Sequence, residues 1–86
     1  MSTLPNYAEH TQAISAELAT MRADQPDLMK AFGALSAAAT KEGVLSTKTK
    51  ELIALALAVS ARCDACIGFH VRTLVKLGAT LEEVEE

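Results

Sequence analysis

Two thiols and an imidazole fall within eight residues of each other in Cys63-Asp64-Ala65-Cys66-Ile67-Gly68-Phe69-His70. Cysteines three residues apart can close a small disulfide ring, and the thiolate is the reactive form of each. With Asp64 as the N-cap of a helix, Ala65 takes N1 and Cys66 takes N2, which sets the Cys66 sulfur beside unpaired backbone N–H groups and the positive end of the helix dipole. That favours a Cys66 thiolate; Arg62 acts in the same sense and Asp64 against it. His70 lies four residues after Cys66, one turn along the same face, close enough to exchange a proton directly or through a water. A nucleophile and a base on one face make a workable pair.

The same residues admit plainer readings. Buried cysteine is a common small apolar filler, and Met21 and Met29 read as core fillers too. Glu51 is a favourable first-turn carboxylate, and His10 reads as a solvent-facing helix residue. Cys63, Cys66 and His70 supply three plausible zinc ligands, with Glu51 or His10 as a fourth, but no second ligand pair follows. Covalent haem attachment needs a histidine directly after the second cysteine, and that residue is Ile67. Redox chemistry is therefore preferred to metal binding, and neither a metal nor a cofactor is expected.

Four helical segments must position these groups. The first runs from about Tyr7 to Arg22, with Ile14, Leu18 and Met21 as its apolar stripe. After the break at Asp24-Gln25-Pro26, proline fits the first turn of a second helix. This one carries Leu28, Phe32, Leu35 and Ala39 on one face and ends near Lys41, with Gly43 able to take the left-handed position after it. Ser46 is a good N-cap for a third helix from Thr47 to about Ala61, whose centre, Leu52 to Val59, is apolar on every side. The fourth contains Cys66, His70, Leu74 and Leu77 and is stopped by Gly78. No glycine or proline separates the third from the fourth, so one unbroken helix is the alternative to a bend at Asp64. Thr80-Leu81-Glu82-Glu83 forms a capping box with no further helix after it, which suggests a C-terminally incomplete domain.

With 86 residues the chain is one small domain, 1–86. Half its residues are hydrophobic and 22% charged, which excludes a disordered segment and a membrane protein. Sixteen alanines against three aromatics, Tyr7, Phe32 and Phe69, suit close-packed helices, so the fold class is all-α. Glu82, Glu83, Glu85 and Glu86 account for the net charge of −3, and no basic stripe or aromatic platform is present to bind nucleic acid. The start, Met1 to Asn6, lacks the basic and apolar regions of a secretory leader. The longest apolar run has eight residues where a span needs about 20. A soluble, cytoplasmic protein without a membrane partner is expected, and in a reducing compartment two cysteines point to redox or metal chemistry before a structural staple.

The ordered set of Glu51, an apolar helix, Cys63-x-x-Cys66-x-x-x-His70 and then Leu77-Gly78-Ala79-Thr80-x-Glu82-Glu83 resembles the carboxymuconolactone decarboxylase superfamily in its alkyl hydroperoxidase D-like (AhpD-like) branch. Upstream, Gly43-Val44-Leu45-Ser46-x-Lys48-x-Lys50-Glu51-Leu52-Ile53-Ala54-Leu55-Ala56 is similar to that family as well, so the resemblance runs from about Met29 to the end. It implies a compact helical domain of about four helices with the Cys-x-x-Cys at the junction of the third and fourth. The implied activity is reduction of peroxides or exchange of disulfides. Cys66 would be the thiolate that attacks peroxide, Cys63 would resolve the resulting sulfenic acid, and Glu51 and His70 would relay protons. The implied partners are a peroxide or small disulfide and a dithiol reductant, which in the family can be lipoamide on a carrier protein.

Decarboxylase members of the superfamily generally lack the cysteine pair, which weighs against decarboxylation. The hydroperoxidase pattern can also carry a histidine two residues after the first cysteine, where this chain has Ala65. An assembly is expected on physical grounds. Burying a leucine contributes about 1.5–3 kcal/mol, so exposing two or three on the third helix would cost about 3–9 kcal/mol, comparable to the stability of a whole domain. The resemblance suggests a homotrimer or homohexamer. One geometric demand remains: Glu51 and Cys63 are 12 residues apart, about 18 Å along a straight helix, so a bend, a neighbouring helix or another subunit must unite the site.

Overall fold

The structure, a computed structural model, describes residues 6–86; all but the last residue of the start read for a leader lies outside the described residues. Five helices follow one another: α1 (Tyr7–Asp24), α2 (Pro26–Thr40), α3 (Thr47–Ser60), α4 (Asp64–Lys76) and α5 (Leu81–Glu85). No strand occurs among the described residues. The starts are set locally. Asn6 Oδ1 accepts the Glu9 N–H at 3.1 Å, Pro26 opens α2, and Ser46 Oγ accepts the Thr49 N–H at 3.0 Å. At Thr80 the reciprocal capping box forms as its sequence predicts. A short helix does follow it, correcting the expectation that the capped start stands alone, and Lys48 Nζ holds α5 to α3 through Glu83 Oε2 at 2.7 Å. The Lys48 ammonium, and after it the Thr80 N–H, hold the Glu83 carboxyl below its usual range; at the surface this adds little stability.

The bend between α3 and α4 is made without glycine. Arg62 adopts φ 56°, the left-handed conformation. Its N–H donates to the Val59 carbonyl at 3.1 Å and the Cys63 N–H to the Ala58 carbonyl at 3.0 Å, the double bond of a Schellman end. Gly78 ends α4 in the same way with φ 76°, as expected, through Gly78 N–H to Val75 O and Ala79 N–H to Leu74 O. Gly43, expected to play this part after α2, does not: among the described residues Gly78 is the glycine with positive φ, and the chain leaves α2 at Lys41 in an extended conformation (φ −67°, ψ 155°). The Lys41 carbonyl is met instead by Lys50 Nζ at 2.8 Å. Since β-branched residues tolerate positive φ worst, Arg62→Val should destabilise the fold by about 1–2 kcal/mol. A shift of the urea midpoint at constant slope would register it, and an unchanged midpoint would deny the bend its left-handed residue.

Turned back at Arg62, α4 lies between α3 and α1. Leu74 is 1% exposed, and Leu55 and Ala58 of α3 are buried with it. Gly68 lets α1 come close: a Cβ there would overlap the Thr11 hydroxyl and stand 3.3 Å from the Tyr7 carbonyl oxygen. Much of the other apolar surface is left open. Ile53, Leu57 and Val59 of α3 are exposed, as an all-round apolar helix in so short a chain requires, and so are Leu28, Phe32 and Leu35 of α2. On α1, Ile14 and Leu18 are half-buried and Met21 is exposed. Among the described residues no helix is long and apolar enough to cross a membrane.

Candidate active site

Two devices assemble the site. The first is the Arg62 bend, which folds α4 along α3 so that His70 meets Glu51 across 19 residues of sequence. A straight helix would hold them about 28 Å apart; here His70 Nδ1 and Glu51 Oε2 are 2.6 Å apart. The demand for a bend, a neighbouring helix or another subunit is thus met within one chain. The second is the start of α4. The expected N-cap, Asp64, is instead the first helical residue, and Cys63 is the cap, its Sγ accepting the Cys66 N–H at 3.3 Å. Cys66 is therefore N3 and not N2. The physical reason lies one helix earlier, because closing α3 at Arg62 spends the Cys63 N–H on Ala58 and leaves the Cys63 side chain in the capping position. The direct N–H contact expected at the Cys66 sulfur therefore belongs to the Cys63 sulfur.

The two sulfurs are at disulfide distance, with Cα atoms 5.2 Å apart. They open, with His70, on a shallow cleft of about 300 Å³ whose far wall is Ala54, Leu57, Ala58 and Ala61 of α3. Sequence reasoning did not single out this wall, although the spacing 54, 58, 61 of small residues on an apolar helix was there to find. Three of the four predicted site residues, Cys63, Cys66 and His70, share the cleft. The fourth, Glu51, is only 6% exposed and stands behind the imidazole. With Nδ1 of His70 engaged by Glu51 Oε2, Nε2 is the ring nitrogen left to exchange a proton. His10 is exposed on α1. Among the described residues no group of three or more His, Cys, Asp or Glu side chains gathers as a metal site, and in the bonded state the cysteines offer no thiolate to one.

The chain belongs to the carboxymuconolactone decarboxylase family, whose model matches residues 26–86. A carboxymuconolactone decarboxylase family protein from Legionella pneumophila, solved in its apo form, superposes with a TM-score of 0.87 at 54% identity, over 91% of this chain and 70% of that one. A protein of Haemophilus influenzae is 42% identical over 65 residues, 76% of this chain and 58% of its own length. One of Cupriavidus necator is 40% identical over 73 residues, 85% of this chain and 65% of its own. Both are described only as uncharacterized. The chain thus spans 58% and 65% of the length of these relatives. The alkyl hydroperoxidase D-like branch fits this family, and the fold with its Cys-x-x-Cys pair between α3 and α4 is compatible with a redox role.

Proposed function

We propose that the protein is a thiol-dependent oxidoreductase that reduces peroxides or exchanges small disulfides through Cys66 and Cys63, with His70 and Glu51 as the proton relay. The observation that carries this reading is the meeting of a bonded cysteine pair and a carboxylate-backed imidazole at one cleft. Cys66 attacks the outer peroxide oxygen, giving a sulfenic acid and an alcohol or water; His70 takes the thiol proton and returns it to the departing oxygen. Cys63 then attacks the Cys66 sulfur, forming the disulfide and releasing water. A dithiol, such as lipoamide on a carrier protein, restores both thiols and is itself oxidised to a disulfide. The division of labour between the cysteines has a physical basis. The Cys63 sulfur accepts the Cys66 N–H as the cap of α4, and stabilising a thiolate lowers its intrinsic nucleophilicity, whereas Cys66 has a base one turn away.

The site and the expected reducing partner suit a cytoplasmic protein. Self-association as a trimer or hexamer is part of the same proposal, supported by the exposed Ile53, Leu57 and Val59 of α3. The test of function is turnover: peroxide consumed and dithiol oxidised in equal amounts, over the uncatalysed rate, by protein stripped of metal with a chelator. A rate no greater than that of an equal concentration of free dithiol removes the proposal.

A further inference from the structure

The start of α4 treats the two sulfurs differently, and this bears on how the oxidised protein is reduced. The inference rests on the thiol-disulfide reading above. In the bonded state the Cys63 sulfur already accepts the Cys66 N–H at 3.3 Å at the positive end of α4, and its own backbone N–H is committed to Ala58. No equivalent N–H contact is made to the Cys66 sulfur, among the described residues, and Cys66 instead lies one turn from His70. When a thiolate opens a disulfide, the bond breaks so that the better-stabilised sulfur leaves. We propose that the incoming reductant thiolate attacks Cys66, and that Cys63 departs as the capped thiolate.

The step balances without a further reagent. The entering thiolate forms a mixed disulfide with Cys66 and the electron pair of the broken bond goes to Cys63, whose existing hydrogen bond becomes charge-assisted with no rearrangement. The second thiol of the reductant, as its thiolate, then attacks the reductant sulfur of the mixed disulfide. It closes the reductant's own disulfide and expels Cys66, which takes up through His70 the proton that the reductant's second thiol gave to His70 on ionising. With the dithiol reductant of the reading above, the covalent intermediate is therefore always on Cys66.

A trapping experiment on the unmodified oxidised protein decides the point. A brief pulse of glutathione, a monothiol that cannot complete the second step, is quenched in acid with N-ethylmaleimide, and the tryptic peptide from Cys63 to Arg72 is sequenced by tandem mass spectrometry. The expected product carries glutathione on Cys66 and maleimide on Cys63, in about fivefold excess over the reverse, the preference one capping hydrogen bond supplies. Alkylation rate against pH gives the second readout: lone Cys63 in the Cys66→Ser variant, whose backbone N–H is intact, should form its thiolate at lower pH than lone Cys66 in Cys63→Ser. Equal labelling, a majority of glutathione on Cys63, or the reverse order in the alkylation series overturns the inference. Neither readout needs peroxide or turnover, so a protein inactive toward peroxides still returns an answer here, and a correct peroxidase reading survives a negative one.

Discussion

Cys66→Ser should bring peroxide-dependent oxidation of a dithiol down to the uncatalysed background, a loss of about a thousandfold or more, because serine offers the peroxide no comparable nucleophile. Cys63→Ser should fail differently. Its first step is intact, so it should consume about one equivalent of peroxide per chain in a burst and then stall, with a sulfenic acid on Cys66 that a dimedone-type reagent captures. The stability cost of either change is small by comparison. Both cysteines are only half-buried, and serine is itself an N-cap residue, so at position 63 its hydroxyl can accept the Cys66 N–H that the sulfur now accepts. A change of a kilocalorie or so in stability cannot produce a thousandfold loss of rate in a protein that remains folded. Turnover retained in Cys66→Ser, or a burst seen in Cys66→Ser and absent from Cys63→Ser, reverses the roles assigned to the two thiols.

How much of this arrangement the sequence disclosed depends on whether a residue's type or its surroundings decide its place. Ser46, Pro26, Gly78 and the Thr80–Glu83 box act through their own side chains or ring, within a few residues, and all four lie where local chemistry puts them. The junction that builds the site is of the other kind. Nothing in the identity of Arg62 marks it for a left-handed conformation; it is held there by the closure of α3 and by the packing of α4 against α3 and α1, which outweigh the local preference. Asp64 was the better cap by type, yet the same closure leaves Cys63 at the capping position. Gly43 was the better left-handed residue by type and goes unused, because the chain leaves α2 extended. The bend near Asp64 was legible from its capping residue, but the Glu51 and His70 pairing was legible only as a resemblance, since no periodicity joins two residues 19 apart across that turn. The open face of α3 was legible as composition, in the all-round apolar Leu52 to Val59, though not as to which of its residues the core would take.

His70→Asn should lower kcat/KM for peroxide by about 10²–10⁴, the contribution usual for a positioned general acid or base. Asparagine is chosen because its side-chain nitrogen can stand where Nδ1 stands now and still donate to Glu51, while nothing replaces Nε2 at the cleft. Alanine would leave the buried Glu51 carboxylate without its partner, and losing one member of a buried pair costs about 3–5 kcal/mol, a figure to be reduced here because the imidazole is 31% exposed. Even so reduced, that cost would confuse a folding defect with a chemical one. Comparing the two variants separates these causes: Asn should melt close to the wild type and be slow, Ala should be both slow and less stable. The Ala variant carries a further readout that a purely structural role would not move. Its cleft, about 300 Å³ before the side chain is removed, has room for free imidazole, which should restore part of the lost rate in a saturable way. Glu51→Gln should act on the same step more weakly, by about 10²-fold, because the amide keeps the volume and one hydrogen bond but can donate to Nδ1 and so move the imidazole proton to Nε2, where it blocks the base. If His70→Asn keeps full activity while Cys66→Ser loses it, Cys66 does not need the relay, and the proton-transfer role assigned to His70 and Glu51 is withdrawn.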